Sequence, residues 1–192
     1  MVAVRLVISA LVLGGMLSLA HGAWIPAKAR LAQALLDHAW HETLRSGDSA
    51  KPWPWADTWP VARLIAPAHN KSMVVLAGTN GAALAFGPGH LTTSAPPGVS
   101  DNSVIAGHRD THFAFLKALK PGDALQLQAL DGVVHHYTVT DTQVVHETDT
   151  RVLQPSESAM LTLITCYPFD AVVPGGPLRY VVRARGIPHH KT

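Results

Sequence analysis

From residue 61 onward the chain breaks into short β-prone runs punctuated by turn-forming residues, and this pattern constrains its fold more than any other feature. Residues 61–65, 73–76, 82–86 and 103–106 are apolar runs, and Pro67 to Asn70 and Gly78-Thr79-Asn80-Gly81 separate the first three. Leu125 and Leu127 alternate with Gln126 and Gln128, as in a half-buried strand. Asp131-Gly132 is a hairpin signal, and residues 133–145, rich in Val, Thr and Tyr, are its β-prone partner. Two more strands are predicted at 160–165 and 178–185. One or two helical turns are predicted over 112–119, ended by Lys120-Pro121-Gly122-Asp123. About eight short strands with little helix argue for a mostly-β protein, a closed barrel or a sandwich.

The segment before this region has a different character. Residues 2–25 are apolar apart from Arg5 and His21, and Leu6 to Ala20 carries no charge. The apolar stretch as a whole offers about 20 residues of spanning length, which suits a membrane-spanning helix. A cleaved signal peptide is the alternative, with Ala20-His21-Gly22 as a small-residue cleavage site. Basic residues lie on both sides, Arg5 before and Lys28 and Arg30 after, so charge does not set the orientation. Residues 26–45 read as a helix, because Ala32, Leu35, Leu36, Ala39 and Trp40 fall on one face. Ser46 to Pro52 is a linker by composition. Trp53, Trp55 and Trp59, interleaved with Pro54 and Pro60, are expected to pin an extended segment, either on the domain or near a membrane interface.

The residues left after the N-terminal segment, about 150, suit one domain. The composition is 47% hydrophobic and 15% charged, which excludes a disordered chain. A net charge of +2 is too small and dispersed for nucleic-acid binding. The chain has 12 His, and those other than His108 and His112 form no HxxxH or HxH grouping with acidic or Cys partners. The pairs His135-His136 and His189-His190 read as surface residues, and no metal or other cofactor is expected.

There is 1 Cys, so no internal disulfide is available, and the thiol is either buried and inert or reactive. Cys166 closes the apolar run Thr162-Leu163-Ile164-Thr165, directly before Tyr167-Pro168. A strand end entering a loop is where a rigid scaffold presents a reactive group. His108, in Ala106-Gly107-His108-Arg109-Asp110, also follows a short strand, and imidazole is the side chain best suited to manage a thiol's proton near neutrality. Arg179 begins a predicted strand after Gly175-Gly176-Pro177, and its fixed charge would stabilise a developing oxyanion. Arg183 and Arg185 are nearby alternatives. Asp110 either orients His108 or ends a turn, and His112 is a second candidate acid.

In chain order, the GHRD, TLITC and LRYVV runs resemble the three active-site motifs of sortases. The stretches PWPWADTWPVARL (52–64), LAFGPGH (84–90), AGHRDTHF (106–113), TLITCYPFDA (162–171) and GGPLRYVV (175–182) resemble the single-anchor sortases of Gram-negative bacteria (class GN). The resemblance implies an eight-stranded β-barrel over 61–192, a helix and Trp/Pro-rich linker over 26–60, and a membrane anchor or signal segment over 1–25. It implies Cys166 as nucleophile, His108 as acid and base, Arg179 as the motif arginine, and Thr165 as a residue that helps orient the oxyanion.

The implied activity is transpeptidation. A protein carrying a C-terminal LPXTG-type signal is cleaved between Thr and Gly, held as a thioester, and passed to an amine acceptor. The implied location is the periplasmic side of the inner membrane. Free thiols titrate near about 8.5 and imidazoles near about 6.5, so a slow enzyme is expected if only a minority of molecules hold thiolate and imidazolium together. A cysteine hydrolase using water, and an inactive periplasmic binding module of the same fold, remain as alternatives.

Overall fold

The computed structural model of the protein describes residues 2–173 and 175–187, with only some of the side chains between residues 2 and 26. The His189-His190 pair lies outside the described residues. Eight strands close into a single barrel: β1 (Pro60–Ala66), β2 (Lys71–Ala77), β3 (Gly89–His90), β4 (Asn102–Ala106), β5 (Ala124–Gln128), β6 (Val134–His146), β7 (Met160–Tyr167) and β8 (Leu178–Gly186). Their order around the barrel is β1-β2-β3-β4-β7-β8-β6-β5, with β5 pairing back onto β1. Among the described residues each of the eight strands has a neighbour on both sides, although the two-residue β3 covers only part of the edges of β2 and β4. The expected choice between barrel and sandwich is thereby settled for the barrel.

Alternation along the strands sets the inside. β1 alternates buried and half-buried from end to end, and Ala62, Leu64 and Ala66 point into the core. Leu125 and Leu127 do the same from β5, as their spacing with Gln predicts. A short 3-10 turn at Ala114–Ala118 adds Phe115 and Leu116 to this core, with Phe113 just before it and Leu119 just after. Full burial of each such side chain stabilises by about 1.5–3 kcal/mol.

The run 82–86, grouped with the strands by its apolar character, is instead a short helix, α2 (Gly81–Phe86). The Asn80 side chain caps it by accepting from the Ala83 N–H at 2.8 Å. Five apolar residues are too few for period 2 and period 3.6 to separate, and the cap decides. The eighth strand is then β3, only two residues long.

The N-terminal helix α1 (Val2–Ser46) runs without a break through Pro26, where a new helix was expected to start. Its predicted apolar face is the one that packs. Leu36 and Trp40 are 1% exposed and join Val74 and Leu76 of β2 and Ala83 of α2 in a second cluster outside the barrel. Asp37 of α1 accepts from Arg63 of β1 at 2.6 Å. Among the described residues no helix is long and apolar enough to cross a membrane, so the expected anchor draws no support from the structure. The tryptophans divide. Trp53 meets Phe86 edge-on at 4.9 Å, whereas Trp55 is 79% exposed.

Candidate active site

The two motif strands β4 and β7 are parallel neighbours, with Ala106 paired to Ile164. Two residues further along each chain lie His108 and Cys166, so both emerge at the same end of the barrel. The pairing continues one step past the strand, where the Gly107 N–H donates to the Ile164 carbonyl at 3.1 Å. Neighbouring strands lie about 4.8 Å apart, so the His108 and Cys166 segments leave the barrel side by side.

Thr165 locks this arrangement. Its hydroxyl, buried, donates to the Gly107 carbonyl at 2.7 Å. That hydrogen is therefore committed to clamping the His108 strand against the Cys166 strand. Gly107 is required for a second reason: a Cβ there would stand 2.9 Å from the Phe113 ring.

On its other side β7 pairs antiparallel with β8, and Cys166 lies directly opposite Arg179. Leu163 and Val182, also opposite each other, face the core. Alternation then puts Cys166 and Arg179 together on the outer face, with Cβ atoms about 5 Å apart. The same register separates the other arginines. Arg183 pairs with Thr162 and Arg185 with Met160, which places Arg183 about 13 Å further along the strand. Only Arg179 is opposite the thiol.

Cys166 is a free, half-buried thiol and His108 is exposed. Asp110 is exposed as well, and its charge is felt at His112. Burial, and then the nearby His108, push the His112 imidazole below its ordinary value. Asp110 and a hydrogen bond to the Phe86 carbonyl oppose that shift. His112 thus links α2 to the candidate site. Among the described residues no group of three or more His, Cys, Asp or Glu is placed to hold a metal ion. His135 is half-buried and His136 exposed.

Three residues at the site's margins went unnoticed in the sequence. Arg109, inside the His motif, donates to the Ala171 carbonyl at 2.8 Å and so ties down the loop that follows Cys166. Asn102, at the start of β4, donates to the Val152 and Gln154 carbonyls at 3.1 and 3.0 Å and accepts from the Thr162 hydroxyl at 2.7 Å. It pins the loop between β6 and β7 to the barrel. Glu147, at the end of β6, forms an ion pair with Arg179. No local motif marks these contacts, which span 62, 50 and 32 residues of sequence respectively.

A family profile described as Sortase domain matches residues 64–187, well over half of the chain. Sortase D of Bacillus subtilis (strain 168) is 33% identical over 122 residues, covering 63% of this chain and 61% of that protein. Sortase A from Corynebacterium diphtheriae superposes with a TM-score of 0.62 at 32% identity, covering 70% of this chain and 63% of that one. A Clostridium perfringens Sortase D5 transpeptidase gives a TM-score of 0.67 at 22% identity, a likeness of fold. The chain spans less than two thirds of the length of the first two. The barrel, its strand order and the match over 64–187 agree: the chain belongs to the sortase family.

Proposed function

We propose that this protein is a cysteine transpeptidase of the Gram-negative sortase class that acts on LPXTG-type sorting signals. One observation carries the catalytic assignment. Strand register sets Cys166 opposite Arg179 and at the same barrel end as His108, three chemically complementary groups from three separate motifs.

The Cys166 thiolate attacks the carbonyl carbon of the Thr–Gly bond, and charge develops on the oxygen. Arg179 and backbone N–H groups near Cys166 stabilise that charge. The C–N bond breaks as His108 gives its proton to the leaving Gly amine, and an acyl thioester remains on Cys166. An incoming amine attacks the thioester and gives its proton to His108. The C–S bond breaks and the thiolate is restored.

The class assignment rests on the stretches at 52–64, 84–90, 106–113, 162–171 and 175–182. Placement on the periplasmic face of the inner membrane rests on the same resemblance and on the uncharged run from Leu6 to Ala20.

The test is incubation of the protein with a quenched fluorescent LPXTG peptide, with and without a Gly-based amine, followed by mass spectrometry. Cleavage between Thr and Gly, an acyl adduct on Cys166 and an amine-dependent product are expected, all absent in Cys166→Ala. Cleavage indifferent to amine would replace transpeptidation with hydrolysis. Absence of both turnover and adduct, including with the host's own C-terminal sorting sequences, would refute the assignment in favour of an inactive binding module.

A further inference from the structure

The guanidinium of Arg179 is already held. Nη1 donates to the Gly176 carbonyl at 2.6 Å and to the Leu178 carbonyl at 2.9 Å, and Nη2 donates to Glu147 Oε2 at 2.5 Å. A guanidinium has five N–H donors in one plane. Three are engaged here, which leaves the Nε–H and one Nη2–H.

Glu147 reaches Arg179 from the side away from the thiol. β8 lies between β7 and β6, and Val145 of β6 pairs with Arg179. Glu147 stands two residues beyond Val145, on the same face, and its N–H donates to the Pro177 carbonyl at 2.7 Å. In the strand order β4-β7-β8-β6, His108 thus follows β4, Cys166 lies on β7, Arg179 on β8, and Glu147 follows β6. The neighbouring carboxylate, Asp149, is bound to Arg151 at 2.7 and 2.8 Å, so Glu147 is the acid that serves Arg179.

We infer that Glu147 is a positioning residue for the reaction. Its carboxylate, with the two carbonyls, fixes the plane of the guanidinium and leaves two donors for the acyl group bound to Cys166. An arginine left to itself samples many rotamers, and donors that must be gathered at each turnover stabilise a transition state less than donors already in place. The pair is part-exposed, at 27% for Arg179 and 48% for Glu147, so substrate can approach without unfolding the loop. The inference rests on the assignment of Arg179 to the oxyanion.

The test combines kinetics with a measurement that needs no turnover. Glu147→Ala, Glu147→Gln, Arg179→Ala and the double variant Glu147→Ala/Arg179→Ala are assayed on the peptide and amine. Misplacing a catalytic group by an ångström lowers rates by up to roughly 100-fold, so Glu147→Ala is expected to lose roughly 10- to 100-fold in kcat/KM, mainly in kcat. Glu147→Gln should fall between Glu147→Ala and wild type. In the Arg179→Ala background the Glu147 change should have no further effect.

Wild-type-like or faster turnover by Glu147→Ala would overturn the inference, the faster case marking Glu147 as a latch that substrate must displace. An equal loss without Arg179 would overturn it too. Nitrogen-15 relaxation of the Arg179 side chain supplies the second arm. A rigid Nε–H in wild type that becomes mobile in Glu147→Ala is expected. A mobile one in wild type refutes positioning, whether or not the peptide is cleaved. A rigid Arg179 in a protein that never acylates Cys166 would instead count against the transpeptidase assignment alone.

Discussion

Replacing Gly107 by alanine puts a methyl carbon 2.9 Å from two carbons of the Phe113 ring, where ordinary contact needs about 3.5–4.0 Å. Something must give, and the structure restricts what can. Phe113 is fully buried and packs edge-on against Phe115 at 6.1 Å. Residue 107 is itself fixed by its bond to the Ile164 carbonyl and by the Thr165 hydroxyl on its own carbonyl. Overpacking of this kind costs about 1–3 kcal/mol.

For a domain of this size a loss of 1 kcal/mol lowers the unfolding midpoint by about 4 °C, so a fall of about 4–12 °C is expected. The larger effect should be on catalysis, because the next residue is His108. A displacement there of about 1 Å would lower kcat/KM by up to roughly 100-fold. Calorimetry and the peptide assay measure the two effects. A companion variant separates the cause. In a Phe113→Leu background the smaller side chain relieves the clash, and Gly107→Ala should cost less than it does alone. Wild-type stability and rate in Gly107→Ala, or an undiminished penalty in the Phe113→Leu background, would refute the reasoning.

Trp40→Ala removes the largest side chain of the outer cluster and should lower stability by about 3–5 kcal/mol by denaturant unfolding, releasing α1 from β2. Asn102→Ala leaves the buried Val152 carbonyl and Thr162 hydroxyl without partners; a loss of about 2–4 kcal/mol and faster proteolysis within residues 147–159 are expected. Burial pushes the imidazoles of His90 and His112 below their ordinary value. As pH falls through about 6.5 the unfolded chain takes up protons that the folded chain resists, so stability is complete above that pH and declines below it. The unfolding midpoint should therefore drop between pH 7.5 and 5.5, and His90→Gln should flatten part of the slope; an unchanged slope would remove His90 from the account.

Strand runs and the chemistry-bearing residues were legible in the sequence because both are local. Alternation at Leu125 and Leu127, the Asp131-Gly132 turn and the face through Leu36 and Trp40 depend on residues a few positions apart, and each appears in the structure where its period placed it. Residues 82–86 misled because a short apolar run carries no period, and β3 escaped because two residues show none.

The Cys, His and Arg motifs were visible one by one, but nothing local says that they meet. That depends on a parallel pairing of β4 with β7 and an antiparallel pairing of β7 with β8, set by barrel closure. Register also separates Arg179 from Arg183 and Arg185: all three share a face, but only Arg179 pairs with Cys166, and four steps carry Arg183 about 13 Å along the strand. Glu147, Arg109 and Asn102 belonged wholly to the tertiary structure. Their partners are distant in sequence, and a hydrogen bond is a condition on distance in space, which the chain satisfies only once the barrel has closed.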